Sequence, residues 1–137
     1  MRVIITGGTG LIGSALAARL LARGDEVILL SRNPHKKQDS SPAGASLEAW
    51  DGRTSSGWGK LVNSETAIVN LAGENLSAGR WTAERKKKII SSRVNTLTTL
   101  YRLLQENPHS VKTLISGSAT GYYGTQTSDV IFRETDP

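Results

Sequence analysis

The strongest constraint on the fold is a cluster of glycines that directly follows a short apolar run near the N-terminus. The apolar run is Val3-Ile4-Ile5, and glycines occupy positions 7, 8, 10 and 13. A continuous apolar run is typical of a buried parallel strand. Glycines allow the positive φ angles that a sharp turn from strand into helix requires. This region therefore predicts a strand, a tight glycine turn and a helix.

Two helices are predicted from apolar positions that recur at helical spacing. The first runs from Leu11 to Arg23 and is followed by Gly24, a residue that commonly closes a helix. The second runs from about residue 82 to residue 105, with Thr82 as its N-cap. The residues expected on the apolar sides are Ile12, Ala15, Leu16 and Leu20 in the first helix, and Ile90, Val94, Leu97, Tyr101 and Leu104 in the second.

Further strands are predicted at residues 26–30, 47–50, 66–71 and 111–116, with the second of these at an edge. Strands that alternate with helices indicate βαβ units with right-handed crossovers. We therefore expect an α/β protein with a Rossmann-type, doubly wound parallel sheet. The expected strand order is 3-2-1-4-5, with helices on both faces and ligands at the carboxyl ends of the strands.

Composition narrows the functional classes. The 137 residues are expected to form one domain, and the absence of cysteine excludes disulfides and thiolate metal sites. We expect no metal, no membrane partner and a cytoplasmic location. The net charge of +5 is concentrated between Arg80 and Arg93. No aromatic residues interleave with this cluster, so we interpret it as a solvated helix face and expect no nucleic acid partner.

The glycine loop has the composition of a pyrophosphate site. Glycines let phosphates approach the backbone, and the helix that follows offers unpaired N–H groups and the positive end of its dipole. The predicted cofactor-binding residues of this segment are Thr6, Gly7, Gly10, Leu11, Ile12 and Gly13. The alternative is a tight strand–helix turn without a ligand. The second strand that follows at the expected distance favours a dinucleotide.

The end of the second strand indicates which dinucleotide binds. A carboxylate at this point would bond the ribose hydroxyls of NAD. The sequence has Ser31 and Arg32 instead, and an arginine suits a 2′-phosphate. We therefore predict NADP(H) as the cofactor, with Ser31 and Arg32 as binding residues and Arg53 or Lys36 as a further cation. An ordinary surface charge is the alternative reading of Arg32.

The loop Thr6-Gly-Gly-Thr-Gly-Leu-Ile-Gly13 resembles that of the extended short-chain dehydrogenase/reductase superfamily of NAD(P)-dependent epimerases and dehydratases. The segments 70–76, 80–82, 92–94 and 116–124 are similar to its "epimerase family protein" branch. This resemblance implies NADP(H) and a chain of about 300 residues, of which these 137 are the N-terminal part. It implies a small-molecule substrate, for which a nucleotide sugar is one candidate, and it leaves a homodimer open.

The resemblance also implies roles for individual residues. Asn70, Leu71, Ala72 and Gly73 match a segment that lies beside the cofactor. Asn95 matches an asparagine of the active-site relay. Ser118 is the best candidate for the hydroxyl that bonds the reacting oxygen of the substrate, with Ser116 and Thr120 as alternatives because of one extra residue before Tyr123. Tyr122 and Tyr123 are expected to pack or to line the pocket, and Trp50-Asp51 to flank the adenine.

The acid–base pair of the superfamily, Tyr-x-x-x-Lys, does not occur within these 137 residues, and the resemblance places that motif after the point where this sequence ends. Gln105, Gln126 and Thr127 stand four residues after the three tyrosines. The leading hypothesis is an NADP-dependent epimerase-like or oxidoreductase enzyme. A non-catalytic NADP(H)-binding sensor or scaffold is the alternative, and the enzyme question stays open at this point. An S-adenosylmethionine protein is disfavoured, because that ligand has no pyrophosphate for the glycine loop to hold.

Overall fold

Five parallel strands form a single sheet in a computed structural model that describes residues 1–37, 41–107, 111–118, 133 and 135, with Lys37 described by its backbone alone. The strands are β1 (Arg2–Thr6), β2 (Glu26–Ser31), β3 (Ser46–Ala49), β4 (Thr66–Asn70) and β5 (Thr113–Ser116). Their order is β3-β2-β1-β4-β5, and every neighbouring pair is parallel. The predicted fold class and strand order are confirmed.

The helices begin and end close to their predicted bounds. They are α1 (Leu11–Ala22), the short α2 (Pro34–Lys37) and α3 (Ala83–Glu106), with a 3₁₀ turn at Gly59–Leu61. The Thr82 side chain accepts a hydrogen bond from the backbone N–H of Arg85, which confirms this threonine as the N-cap of α3. Gly24 has a φ of +88°, the left-handed conformation expected just after a helix.

Two apolar layers cover the two faces of the sheet. On one face, Ala17 of α1 packs with Val3, Ile5, Val27, Leu29 and Val69. On the other face, Leu100 and Leu103 of α3 pack with Ile4, Ile28, Leu30, Ile68, Trp50 and Trp58. Successive strand residues thus point to opposite faces, and helices cover both faces as predicted.

The predicted apolar side is confirmed in part for α1 and is wrong for α3. In α1, Leu16 and Leu20 pack against the core as predicted, whereas Ile12 is 70% exposed and the fully buried residues are Gly13 and Ala17. In α3 the predicted stripe faces outward, with its exposed members Ile90, Val94, Leu97 and Tyr101. The buried residues there are Ile89, Thr96, Thr99, Leu100 and Leu103. None of the helices in the described ranges is long and apolar enough to cross a membrane.

Local hydrogen bonds explain the orientation of α3. The hydroxyl of Thr96 donates to the carbonyl of Ser92 at 2.8 Å, and that of Thr99 donates to the carbonyl of Asn95 at 2.9 Å. Both hydroxyls are therefore satisfied within the helix and can be buried at little cost. The predicted orientation was based on the apolar positions alone, and these hydrogen bonds allow the side with the two threonines to be buried instead.

Close packing of α1 on the glycine turn predicts the effect of Gly13→Ala. A Cβ at Gly13 would lie 2.5 Å from the carbonyl oxygen of Gly7 and 2.6 Å from the Cα of Gly8, both backbone atoms. Alanine gains about 1 kcal/mol in helix propensity, but forcing these atoms apart costs more. We expect the free energy of unfolding to fall by about 1–3 kcal/mol, measured by urea denaturation.

Gly10→Ala is the matched control. A Cβ at Gly10 would have one neighbour, the carbonyl oxygen of Gly7, at 3.3 Å. We expect the free energy of unfolding to change by less than about 1 kcal/mol. An equal loss in the two variants would show that the close approach of Gly13 does not set the position of α1.

Candidate functional site

The glycine turn lies against the carboxyl end of β4. Gly7 has a φ of +70°, and a Cβ at this position would lie 2.7 Å from the carbonyl carbon of Leu71. The N–H of Gly10 donates to the carbonyl of Gly7 at 3.0 Å, which closes the turn. Position 7 therefore requires a glycine both for its backbone conformation and for space.

The N-terminus of α1 faces this turn with unused donors. Gly10 is the N-cap and supplies no side-chain cap, and no acidic residue lies in the first turn. The first N–H bonded within the helix is that of Ser14, to the carbonyl of Gly10. The N–H groups of Leu11, Ile12 and Gly13 are thus available for an anion. Leu11 and Ile12 are 89% and 70% exposed, so only their backbones could contribute.

A cavity of about 530 Å³ opens at the carboxyl end of the sheet beside the glycine turn, a size typical of small-molecule sites. Eight predicted site residues line it: Gly7, Gly10, Ser31, Arg32, Leu71, Ala72, Gly73 and Asn95. Six others do not: Thr6, Leu11, Ile12, Gly13, Asn70 and Ser118. The structure thus brings the glycine turn, the end of β2, the segment after β4 and α3 around one space.

A chain of side-chain hydrogen bonds runs beneath the cavity from β1 to β5. Thr6 Oγ1 donates to Asn70 Oδ1 at 2.6 Å and accepts from the N–H of Ala72 at 3.2 Å. Asn70 Nδ2 donates to Ser116 Oγ at 3.0 Å. Thr6 and Asn70 are buried. Their hydrogen bonds join the ends of β1, β4 and β5, neither residue lines the cavity, and their role in cofactor binding stays a prediction.

The ends of β2 and β3 form one wall of the cavity. Arg32 follows β2, and Trp50, Asp51 and Arg53 follow β3, and all of them line the space. The pKa of the Asp51 carboxyl is lowered by hydrogen bonds from the backbone N–H groups of Arg53 and Thr54. Asp51 is therefore an anion at neutral pH.

The segment after β4 and helix α3 form the opposite wall. The N–H of Glu74 donates to Ser92 Oγ at 3.0 Å, and the Arg93 guanidinium donates to the carbonyl of Ile89 at 3.1 Å. Asn95 is half-buried here. Lys88 is exposed, as expected for a solvated helix face, and it also lines the open cavity, which the sequence analysis did not predict. Its spacing of seven residues from Asn95, two helical turns, was the signal that could have found it.

The described residues at the end of β5 are not among those that line this cavity. Ser118 stands two residues beyond β5 and is exposed. The other hydroxyl and phenol candidates of this segment, Thr120, Tyr122 and Tyr123, lie outside the described residues. Within the described ranges, no three His, Asp or Glu side chains come together in a way that could hold a metal ion.

Comparison with known proteins assigns the family. Residues 3–137 match the model of the NAD dependent epimerase/dehydratase family. The chain belongs to this family. Its fold is thus the NAD(P)-binding fold of the epimerase family.

Relatives of this epimerase-family chain include two proteins named for the same family. The chain is 39% identical over 125 residues to the epimerase family protein SDR39U1 of Bos taurus, covering 90% of this chain and 38% of the relative. It is 36% identical over 125 residues to the epimerase family protein YfhF of Bacillus subtilis, covering 91% of this chain and 40% of the relative.

A solved structure of similar fold is that of human epimerase family protein SDR39U1 (isoform 2) with NADPH. It superimposes with a TM-score of 0.77 at 35% identity, and the match covers 100% of this chain and 42% of that one. The chain therefore spans about two fifths of the length of the relatives it matches.

The hydrogen bonds of Thr6 predict the effect of replacing it. Thr6→Val keeps the shape of the side chain but leaves Asn70 Oδ1 and the N–H of Ala72 without their partner. We expect the free energy of unfolding to fall by about 1–3 kcal/mol, measured by chemical denaturation. Thr6→Ser keeps the hydroxyl and loses one methyl group, at a cost of about 1 kcal/mol. A larger loss for the serine variant would assign the role of Thr6 to its methyl group.

Proposed function

We propose that this chain is the dinucleotide-binding part of an NADP(H)-dependent, epimerase-like or oxidoreductase enzyme that acts on a small molecule. One observation carries the proposal: a single cavity is lined both by the glycine turn and by Arg32 at the end of β2, whose guanidinium has no ion pair among the described residues. Such a cavity matches a ligand with two separated phosphate groups. The NADPH in the human relative is consistent with it.

Different residues of the chain bind different parts of the cofactor. The backbones of Gly7 and Gly10 admit the pyrophosphate, which accepts hydrogen bonds from the first N–H groups of α1. The Arg32 guanidinium meets the 2′-phosphate with paired N–H donors, and Ser31 lies beside it. The segment from Leu71 to Gly73 supplies a small-residue wall along which the cofactor extends. NADPH, when bound, supplies a hydride for the substrate.

Fewer residues of this chain are candidates for the proton transfer of the proposed reaction. We propose that Asn95, on the cavity wall, belongs to the hydrogen-bond relay of the active site. The Ser118 hydroxyl forms a hydrogen bond with the substrate oxygen. Ser118 is exposed and two residues past β5, outside the cavity lining, so it would act on a substrate that projects beyond the cofactor. The proton carrier itself is not supplied by any Tyr-x-x-x-Lys pair of this sequence.

A second candidate function is a non-catalytic NADP(H)-binding sensor or scaffold, since the residues that line the cavity account for cofactor binding alone. Binding needs only the cavity residues, whereas turnover needs a proton donor at the substrate. The two candidates share the cofactor site and differ in catalysis. Oxidation of NADPH in the presence of candidate carbonyl substrates would support the enzyme, and tight binding without turnover would support the sensor.

Titration of the protein with NADPH and with NADH tests the cofactor assignment. We expect NADPH to bind more tightly. Arg32→Gln should raise the Kd for NADPH by about 10- to 100-fold, since hydrogen bonds to charged groups contribute about 1.5–3 kcal/mol, and leave the Kd for NADH unchanged. Isothermal titration calorimetry or quenching of protein fluorescence gives both constants.

Gly10→Val tests the phosphate turn in the same assay. Gly10 lines the cavity at the start of α1, so the branched side chain would occupy the space that the phosphate needs. We expect loss of both dinucleotides with the fold retained, as judged by circular dichroism. Equal affinity of the unsubstituted protein for NADH and NADPH would refute the role of Arg32, and undiminished binding by Gly10→Val would refute the pyrophosphate site.

A further inference from the structure

We propose that Arg53 is a second cation for the 2′-phosphate of NADP(H), held in place by a rigid turn that Asp51 organises; this inference rests on the proposed cofactor. Arg32 follows β2 and Arg53 lies in the turn after β3, and both would then bind the same phosphate group. Arg53 would be a specificity-determining residue, and Asp51 a positioning residue that acts through it.

Strand register places Arg32 and Arg53 at the same end of the cavity. Ser31 pairs with Ala49 where β2 and β3 run side by side. The N–H of Trp50 then donates to the carbonyl of Ser31 at 3.0 Å, so the two strands stay joined as they leave the sheet. Arg32 follows on one of them, and the turn carrying Arg53 follows on the other. Both residues line the cavity.

The turn formed by residues 51–54 is fixed by its own hydrogen bonds. Asp51 Oδ1 accepts from the N–H groups of Arg53 and Thr54, each at 2.8 Å. Asp51 Oδ2 accepts from the Thr54 hydroxyl at 3.1 Å. The backbone of Arg53 is therefore held in one conformation before any ligand binds, which lowers the entropy lost on binding.

Two tryptophans anchor this turn to the core. The indole N–H groups of Trp50 and Trp58 both donate to the carbonyl of Thr54, at 2.8 and 3.0 Å. Their rings meet edge to face, with centroids 6.1 Å apart. Trp58 is fully buried among the residues beneath α3. A turn tied to the core in this way can aim a side chain as a helix or strand would.

The charges at this end of the cavity favour a dianion. Neither Arg32 nor Arg53 forms an ion pair or side-chain hydrogen bond within the described part of the chain. A phosphate monoester carries about −1.5 to −2 charges at neutral pH and has three acceptor oxygens. One guanidinium bonds two of these oxygens at most in its bidentate geometry, so a second guanidinium has a remaining acceptor to bond.

Asp51 raises a competing explanation, since a carboxylate near a ribose can select NAD. Its oxygens, however, already accept three hydrogen bonds within the turn. A carboxylate has about four acceptor sites, so accepting from both ribose hydroxyls would require breaking or sharing one of these bonds. The geometry therefore assigns Asp51 to the turn, and the experiment separates the two roles.

Dinucleotide titrations of the protein carrying Arg53→Gln test the second cation. We expect the Kd for NADPH to rise about tenfold and the Kd for NADH to stay unchanged, as for loss of one charged hydrogen-bonding partner. The matched control is Arg102→Gln, which removes an exposed arginine of α3 that does not line the cavity. If Arg53→Gln behaves like Arg102→Gln while Arg32→Gln loses NADPH, the second cation is refuted and the proposed function stands.

The double variant Arg32→Gln/Arg53→Gln strengthens the test. Two groups that bind one phosphate are coupled, so the two losses should not simply multiply. Strict multiplication of the two fold-changes would contradict a shared phosphate. Failure of the unsubstituted protein to bind either dinucleotide would refute the proposed function itself.

Asp51→Asn and Asp51→Ala separate positioning from charge. Asparagine keeps the Oδ1 acceptor of both N–H groups, so we expect the affinity for NADPH to stay within about twofold or to rise slightly as a negative charge is lost. Alanine removes the acceptor and should raise the Kd for NADPH about as much as Arg53→Gln does, although it removes the same charge. Tighter NADPH binding by the alanine variant would overturn the positioning role, and a selective loss of NADH in both variants would assign Asp51 to the ribose.

Discussion

The contact between Gly13 and the glycine turn is the constraint on which the rest of the site depends. With no side chain at position 13, the first turn of α1 lies directly against the backbone of Gly7 and Gly8. This contact seats α1 on one face of the sheet and brings its N-terminal N–H groups to the carboxyl end of β1. The glycine turn and the segment after β4 then line the same cavity. A bulkier residue would displace the helix, and with it the donors.

The sequence predicted the frame of this fold because the frame depends on local signals. Apolar runs mark the strands, Thr82 caps α3, and Gly24 closes α1, each through chemistry within a few residues. The order of the strands followed from the alternation of strands and helices. The orientation of α3 did not follow, because its periodic stripe from Ile90 to Tyr101 was more apolar than the side that became buried. Threonine hydroxyls that bond to carbonyls of their own helix can be buried at little cost, and a search for apolar periodicity does not detect such positions.

The residues of the candidate site also fall into those that local sequence signals predict and those that they do not. Residues at strand ends and in the glycine turn were found from sequence, since their positions follow from the topology. The position of Lys88 at the cavity and the hydrogen bonds that fix the 51–54 turn were harder to predict, because they depend on how α3 and the tryptophans pack. Trp58 illustrates the difficulty: it lies in a segment rich in glycine and serine that predicted a loop, yet it is completely buried. Long-range packing of this kind has no signature in the neighbouring residues.

The hydrogen-bond chain from Thr6 through Asn70 to Ser116 has a consequence for anyone who would re-engineer this protein. It crosses β1, β4 and β5 at right angles to their direction, so the three side chains form one transverse brace at the carboxyl ends of these strands. If a loop and the end of β1 were taken together from a distant fold, the side chain at position 6 would not be matched to Asn70, its hydrogen-bond partner in this brace. Grafts that exchange the ends of β1, β4 and β5 as a set would keep it whole.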